Sequence, residues 1–136
     1  MKLLIIYMDK FGYRTTTKTL SELKSEEKQE TFQDVLVGFI HSEKEDEEEV
    51  DKKVKKLIKS LKWAAGKNKT KRIVLHSFAH LSKSKADPEV ALSILEKAEE
   101  RLKSAGYEVY QTPFGYFLNL EVSAPGISQA RIFQDL

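Results

Sequence analysis

Two short runs carry the residue types able to do chemistry: Ser77-Phe78-Ala79-His80-Leu81-Ser82 and Pro113-Phe114-Gly115-Tyr116-Phe117. In the first, the His80 imidazole can orient a water or a substrate oxygen, or it can simply hydrogen-bond backbone groups at a strand end. In the second, Phe114 and Tyr116 flank Gly115. They either wall a small-molecule or ribose pocket or pack a turn whose glycine takes an unusual backbone angle. Asp9 follows the first apolar run, placed to contact a ligand or to form an Asx turn. His76 and His80 are four residues apart but straddle a strand end and a turn. With no cysteine and no H-E-x-x-H framework, no metal site is expected. Nucleotide cradles of the G-x-G-x-x-G and Walker A kinds are missing, as is the G-x-S-x-G elbow of serine acyl transfer, and no cofactor is expected.

Both runs sit beside expected strands. Loops at the carboxyl ends of strands are where open α/β sheets place their sites. Residues 2–7 run apolar without alternation and read as a strand buried on both faces. Residues 9–12 read as a turn and 13–17 as a second, β-branched strand. The polar stretch 20–33 reads as a mobile loop, and 34–42 as the next strand. Over 45–65, Val50, Val54, Leu57, Ile58, Leu61 and Ala65 make one helical stripe, with Gly66 as the terminator. A strand at 72–76 precedes a second helix, which has Asp87 at its N-cap, Pro88 at N1 and Gly106 at its end. Residues 107–111 and 116–123 read as further strands. In the latter Tyr116, Leu118, Leu120 and Val122 occupy one face, expected to be covered. Residues 124–136 hold a short terminal element. This order describes one α/β domain over residues 1–136, a mixed β-sheet packed by two main helices with at least one parallel crossover.

Composition limits the function classes. The chain has 136 residues, 40% hydrophobic and 32% charged, enough for one substantial core. Lys and Arg number 23 against 21 Asp and Glu, so bulk charge does not argue for nucleic acid. The distribution says more. Acid concentrates over 43–51, while Lys67, Lys69, Lys71, Arg72, Lys83 and Lys85 bracket the Phe78-Ala79-His80 run. That is either a rim for a phosphate-bearing ligand or a solvated lysine surface. The longest apolar run is too short to span a bilayer, so a cytoplasmic protein without membrane contact is expected.

Residues 3–9 and 35–43, the F-A-H-L-S run at 78–82 and the P-F-G-Y run at 113–116 resemble the archaeal threonyl-tRNA synthetase editing domain, in order and spacing over nearly the whole chain. The resemblance implies a D-aminoacyl-tRNA deacylase-like fold and a homodimer, with a synthetase body in cis or in trans. It also implies hydrolysis of the ester in mischarged L-seryl-tRNA(Thr) at the tRNA 3′ end. Such a step has a physical rationale. The methyl that separates threonine from serine is worth only about 1–3 kcal/mol in an apolar pocket, so a second, hydrolytic site must supply the missing discrimination. The resemblance makes His80 the residue that orients substrate or water. It assigns backbone contacts to Ser77, Phe78 and Ala79 and to Phe39 through Ser42, walls to Phe114, Gly115 and Phe117, and a ligand contact to Asp9. Departures are informative. Leu118 stands where the family carries a lysine implicated in catalysis, Arg131 where it carries a glutamate, and Tyr7-Met8-Asp9 where it has His-Ser-Asp. Two alternatives therefore stand beside editing: a catalytically degenerate tRNA-binding or dimerisation module, and a deacylase of changed specificity such as one acting on D-aminoacyl-tRNA.

Overall fold

The computed structural model describes residues 1–19 and 27–136; of the expected loop at 20–33, residues 20–26 lie outside them. Strands β1 (Lys2–Lys18) and β2 (Gln29–His41) are followed by α1 (Val50–Lys67), β3 (Arg72–Ser77), α2 (Pro88–Ser104), β4 (Glu108–Gln111), β5 (Tyr116–Ser123) and β6 (Arg131–Asp135). The sheet has six strands in the order β4-β3-β2-β1-β5, and β6 pairs with β1 as well. β2, β3 and β4 run parallel, joined through α1 and α2, while β1 pairs antiparallel with β2, β5 and β6. This is the expected single α/β domain with a mixed sheet and two main helices.

Each helix buries its apolar stripe. Val54, Leu57, Ile58 and Leu61 of α1 and Ile94, Leu95, Ala98 and Leu102 of α2 pack on Leu3, Ile5, Leu36, Ile73 and Leu75 of the sheet. Gly38 lets α1 approach closely, since a Cβ there would lie 3.1 Å from Leu61 Cδ2. The opposite face carries a second cluster of Met8, Phe11, Tyr13, Val35, Val37, Phe39 and Val74, which neither α1 nor α2 covers.

Several expected boundaries are corrected. Residues 9–12 are not a turn: β1 continues through them, because β2 on one edge and β5 on the other supply pairing partners on both sides. The local irregularity is Asp34, at φ 51, and the Asp9–Asp34 pair is skipped in the register. Past this point the buried positions of β1 shift from Met8 to Phe11 and Tyr13. Residues 29–33 belong to β2 rather than to a loop. The first turn of the expected helix at 45 is a separate 3₁₀ turn over Lys44–Glu48. α1 ends at Asn68, whose side-chain amide donates to Ala64 O, rather than at Gly66. Asp87 holds the N-cap position of α2 without a capping hydrogen bond from its side chain. Gly106 does end α2, at φ 92, with Tyr107 N–H donating to Leu102 O. On β5 the expected covered face is only half realised. Tyr116 and Leu118 are half-buried, but Leu120 and Val122 are 40% and 50% exposed on this edge strand.

Candidate active site

The end of β2 acts as a template for the loop that leaves β3. Phe78 N–H donates to Ile40 O and Ala86 N–H to Ser42 O. Between these anchors the fully buried His41 holds the loop from beneath: Leu81 N–H donates to Nδ1 at 2.9 Å, and Nε2 meets Ser84 O at 2.7 Å. These partners assign the neutral tautomer protonated at Nε2. Ser82 Oγ–H donates to Glu43 Oε2 at 2.6 Å, and Glu43 Oε1 in turn accepts from the buried Met1 ammonium at 2.8 Å. Burial alone would raise the Glu43 carboxyl, but the hydrogen bonds from Met1 and Ser82 outweigh it and bring its pKa down to about 2. The loop around His80 is thus tied to a buried ionic cluster.

The opposing wall is the segment between β4 and β5. Gly115 takes φ 85, which a Cβ-bearing residue adopts only with strain, and its carbonyl accepts from Thr19 N–H. Thr16 Oγ–H donates to Phe117 O, holding this wall to β1.

Between the two walls lies a cavity of about 400 Å³, closed on a third side by Pro88 and Ala91 from the first turn of α2. It unites residues from both sequence motifs: Ser42, Ser77, Phe78, Ala79, His80, Phe114, Gly115, Phe117 and Leu118 all line it. His80 is exposed at its mouth, edge-on to Phe78 at 5.0 Å between ring centroids. Lys85 of the expected basic rim also lines it. Two expected positions are not brought there. Asp9 is exposed on β1, away from the lining, and Phe39 is buried behind it, edge-on to His76 and Phe78. The backbone oxygens of Ile40 and Ser42 are already occupied in holding the loop. Arg131 lies outside the lining and donates to Pro125 O.

His76, which the sequence reading weighed only as a metal partner for His80, is a polar residue of the lining. It is 6% exposed, ringed by Phe11, Phe39 and Phe78, and its Nδ1 lies 2.9 Å from Thr112 Oγ. Burial among these rings lowers its pKa to about 4, so the imidazole is neutral at physiological pH. The available signal was a polar residue closing an otherwise apolar strand, Ile73-Val74-Leu75-His76. Thr19 was missed as well, because it reaches the cavity from a segment distant in sequence. Among the described residues no group of three or more His, Asp or Glu side chains is placed to hold a metal ion, and no helix is long and apolar enough to cross a membrane.

Comparison with known proteins places this geometry in context. A family model described as the archaea-specific editing domain of threonyl-tRNA synthetase matches residues 1–136. The chain is 39% identical over 129 residues to a threonine–tRNA ligase of Thermococcus kodakarensis, covering 93% of this chain and 21% of that protein. It is 37% identical over 128 residues to one of Methanobrevibacter smithii, covering 93% and 21%. The chain thus spans about a fifth of the length of these curated relatives. A solved structure titled c-Myc DNA Unwinding Element Binding Protein superposes with a TM-score of 0.69 at 14% identity, covering 100% of this chain and 99% of that one. That likeness concerns the fold, and the deacylase-like fold class expected from the sequence is the one found.

Proposed function

Because the chain belongs to the archaea-specific editing domain family of threonyl-tRNA synthetase, we propose that it hydrolyses the ester of mischarged L-seryl-tRNA(Thr) at the cavity between the F-A-H-L-S and P-F-G-Y segments. The observation that carries this reading is the convergence of those two motifs, 31 or more residues apart, on one pocket that also receives Lys85. A volume near 400 Å³ holds a small aminoacyl group together with part of its terminal nucleoside. Lys85 at the rim favours the adjoining phosphates.

The ester is already reactive, so the protein's task is to position a water and stabilise the charge that develops on the carbonyl oxygen. His80, at the mouth, is the residue that orients substrate or water. Phe78 uses its amide on Ile40 O, whereas the Ala79 and His80 amides make no hydrogen bond among the described residues. Both are therefore suited to contact the ligand. Phe114, Gly115 and Phe117 wall the pocket, and Leu118 is an apolar part of that wall. No metal or cofactor enters the proposal, and the setting is the cytoplasm.

The expected result is selective hydrolysis of L-seryl-tRNA(Thr) over L-threonyl-tRNA(Thr), falling about 10²-fold in His80→Ala as for the loss of one positioning group. A folded His80→Ala protein with undiminished turnover removes that role. The second reading, a binding module without turnover, is favoured by one observation: Leu118 offers no polar group where the resemblance places a lysine. Binding of a non-hydrolysable seryl-adenosine analogue without turnover of the ester would establish it.

The proposed partners are the tRNA 3′ end, a synthetase body and a second copy of this chain. Exposed Leu120 and Val122 on β5 and Phe133 on β6 leave apolar surface on the sheet face that neither α1 nor α2 covers, which supports self-association there. Sedimentation equilibrium is expected to give twice the monomer mass at micromolar concentration. A monomer mass removes the dimer from the proposal.

A further inference from the structure

The most buried polar side chain of the cavity lining has no role in positioning the walls. His76 is 6% exposed, and its Nδ1 meets Thr112 Oγ at 2.9 Å. Thr112 is itself 5% exposed, and its hydroxyl has no other hydrogen-bond partner among the described residues. A buried hydroxyl proton needs an acceptor, and His76 Nδ1 is the one in reach. Thr112 therefore donates, Nδ1 accepts, and the ring proton sits on Nε2. Nε2 makes no hydrogen bond among the described residues. The one side-chain polar atom there that is sealed from solvent without a partner is Gln134 Oε1, so Nε2 opens to the cavity that His76 lines. The other side-chain N–H donors of the lining, His80 and Lys85, are exposed.

Building on the editing reading, we propose that His76 is a catalytic residue: its Nε2–H donates a hydrogen bond to the ester carbonyl oxygen as that oxygen becomes an oxyanion. In the step, water adds to the carbonyl carbon and the bond from that carbon to the ribose oxygen breaks. The water's proton passes to the ribose oxygen, releasing serine and the free tRNA 3′ hydroxyl. His76 gives up no proton in this step. Its depressed basicity suits it to the role, because a neutral imidazole stays a donor without the solvation cost of an imidazolium, as in enzymes that polarise a carbonyl with neutral histidine. Thr112 is a positioning residue that acts through His76 by fixing the tautomer.

The test compares seryl-tRNA(Thr) hydrolysis by the unmodified chain, His76→Phe and His76→Gln, each shown to be folded by thermal melting. His76→Phe keeps a planar ring without a donor, and it is expected to lower kcat about 10²-fold with KM changed far less. His76→Gln restores an N–H and is expected to recover at least tenfold of that loss. On the unmodified protein, ¹⁵N-edited NMR of the imidazole is expected to show the Nε2–H tautomer at pH 7, with a shift when the seryl-adenosine analogue binds. An Nδ1–H tautomer, or hydrolysis unchanged in folded His76→Phe, overturns the assignment and leaves the editing reading standing. No hydrolysis by the folded, unmodified chain overturns the editing reading and this role with it.

Discussion

Asp46→Ala is expected to lower stability by roughly 3–5 kcal/mol, the cost of leaving buried charge without its counter-ion. Asp46 is fully buried. Its Oδ1 lies 3.1 Å from the Met1 ammonium and 3.5 Å from Lys53 Nζ, and its Oδ2 accepts from Glu43 N–H at 2.6 Å. Removing this carboxylate leaves the Met1 ammonium with Glu43 alone and Lys53 with only the Leu136 carbonyl oxygen, and it breaks the reciprocal bonds that shape the Lys44–Glu48 turn. In a domain of this size the melting temperature should fall on the order of 10 °C, read by far-ultraviolet circular dichroism at pH 7. The effect should also reach the cavity. Glu43 bridges the Met1 ammonium to Ser82 in the His80 loop, so substrate binding is expected to weaken alongside stability. A loss below about 1 kcal/mol would mean that the cluster behaves like an exposed ion pair. Acid provides a second check. With its pKa held near 2, Glu43 contributes stability that is complete above its ordinary value of 4.5 and is lost as pH falls toward 2.

Between pH 7 and pH 4 a different group dominates. His76 titrates near 4 in the folded protein and near 6.5 when unfolded, because its buried aromatic surroundings disfavour the cation. Across that window the unfolded chain binds more protons than the folded one, so stability is complete above 6.5 and declines as pH drops toward 4. A shift of this size corresponds to about 3 kcal/mol. The expected result is that urea unfolding of the unmodified chain loses about that much over the interval, in addition to the contribution of its carboxylates. His76→Gln should lose only the carboxylate part. Parallel pH profiles for the two proteins would show that the imidazole is solvated in the folded state.

The two halves of the long antiparallel pair show where sequence reading succeeds and where it stops. The first half of β1 and the last of β2 are apolar without interruption, because side chains on both faces of the sheet are buried or half-buried there, and both strands were legible. Gln29–Gln33 of β2 alternate between exposed and half-buried residues, and β1 beyond Met8 mixes the buried Phe11, Gly12 and Tyr13 with exposed polar residues, so no apolar run marks either and only the β-branched stretch 13–17 read as strand. Their strand character comes from hydrogen bonds to each other and, for β1, to β5. β6 is a similar case, an edge strand held by pairing to Lys2–Ile6.

By itself, the sequence determined the α/β class, both helices with their buried stripes, and the two motifs that meet at the cavity. Those features depend on local periodicity and on residues whose types speak for themselves. Tertiary structure alone decided which strands are neighbours, that Asp9 and Phe39 stand apart from the cavity, and that Leu120 and Val122 lie on an uncovered edge. It also decided that His41 and His76, alike in sequence as single histidines at strand ends, have different tasks. One has both ring nitrogens occupied in holding a loop; the other has one nitrogen bound to Thr112 and the second open to the cavity. Hydrogen-bond partners 36 to 43 residues away set that difference, and no local pattern in the chain records them.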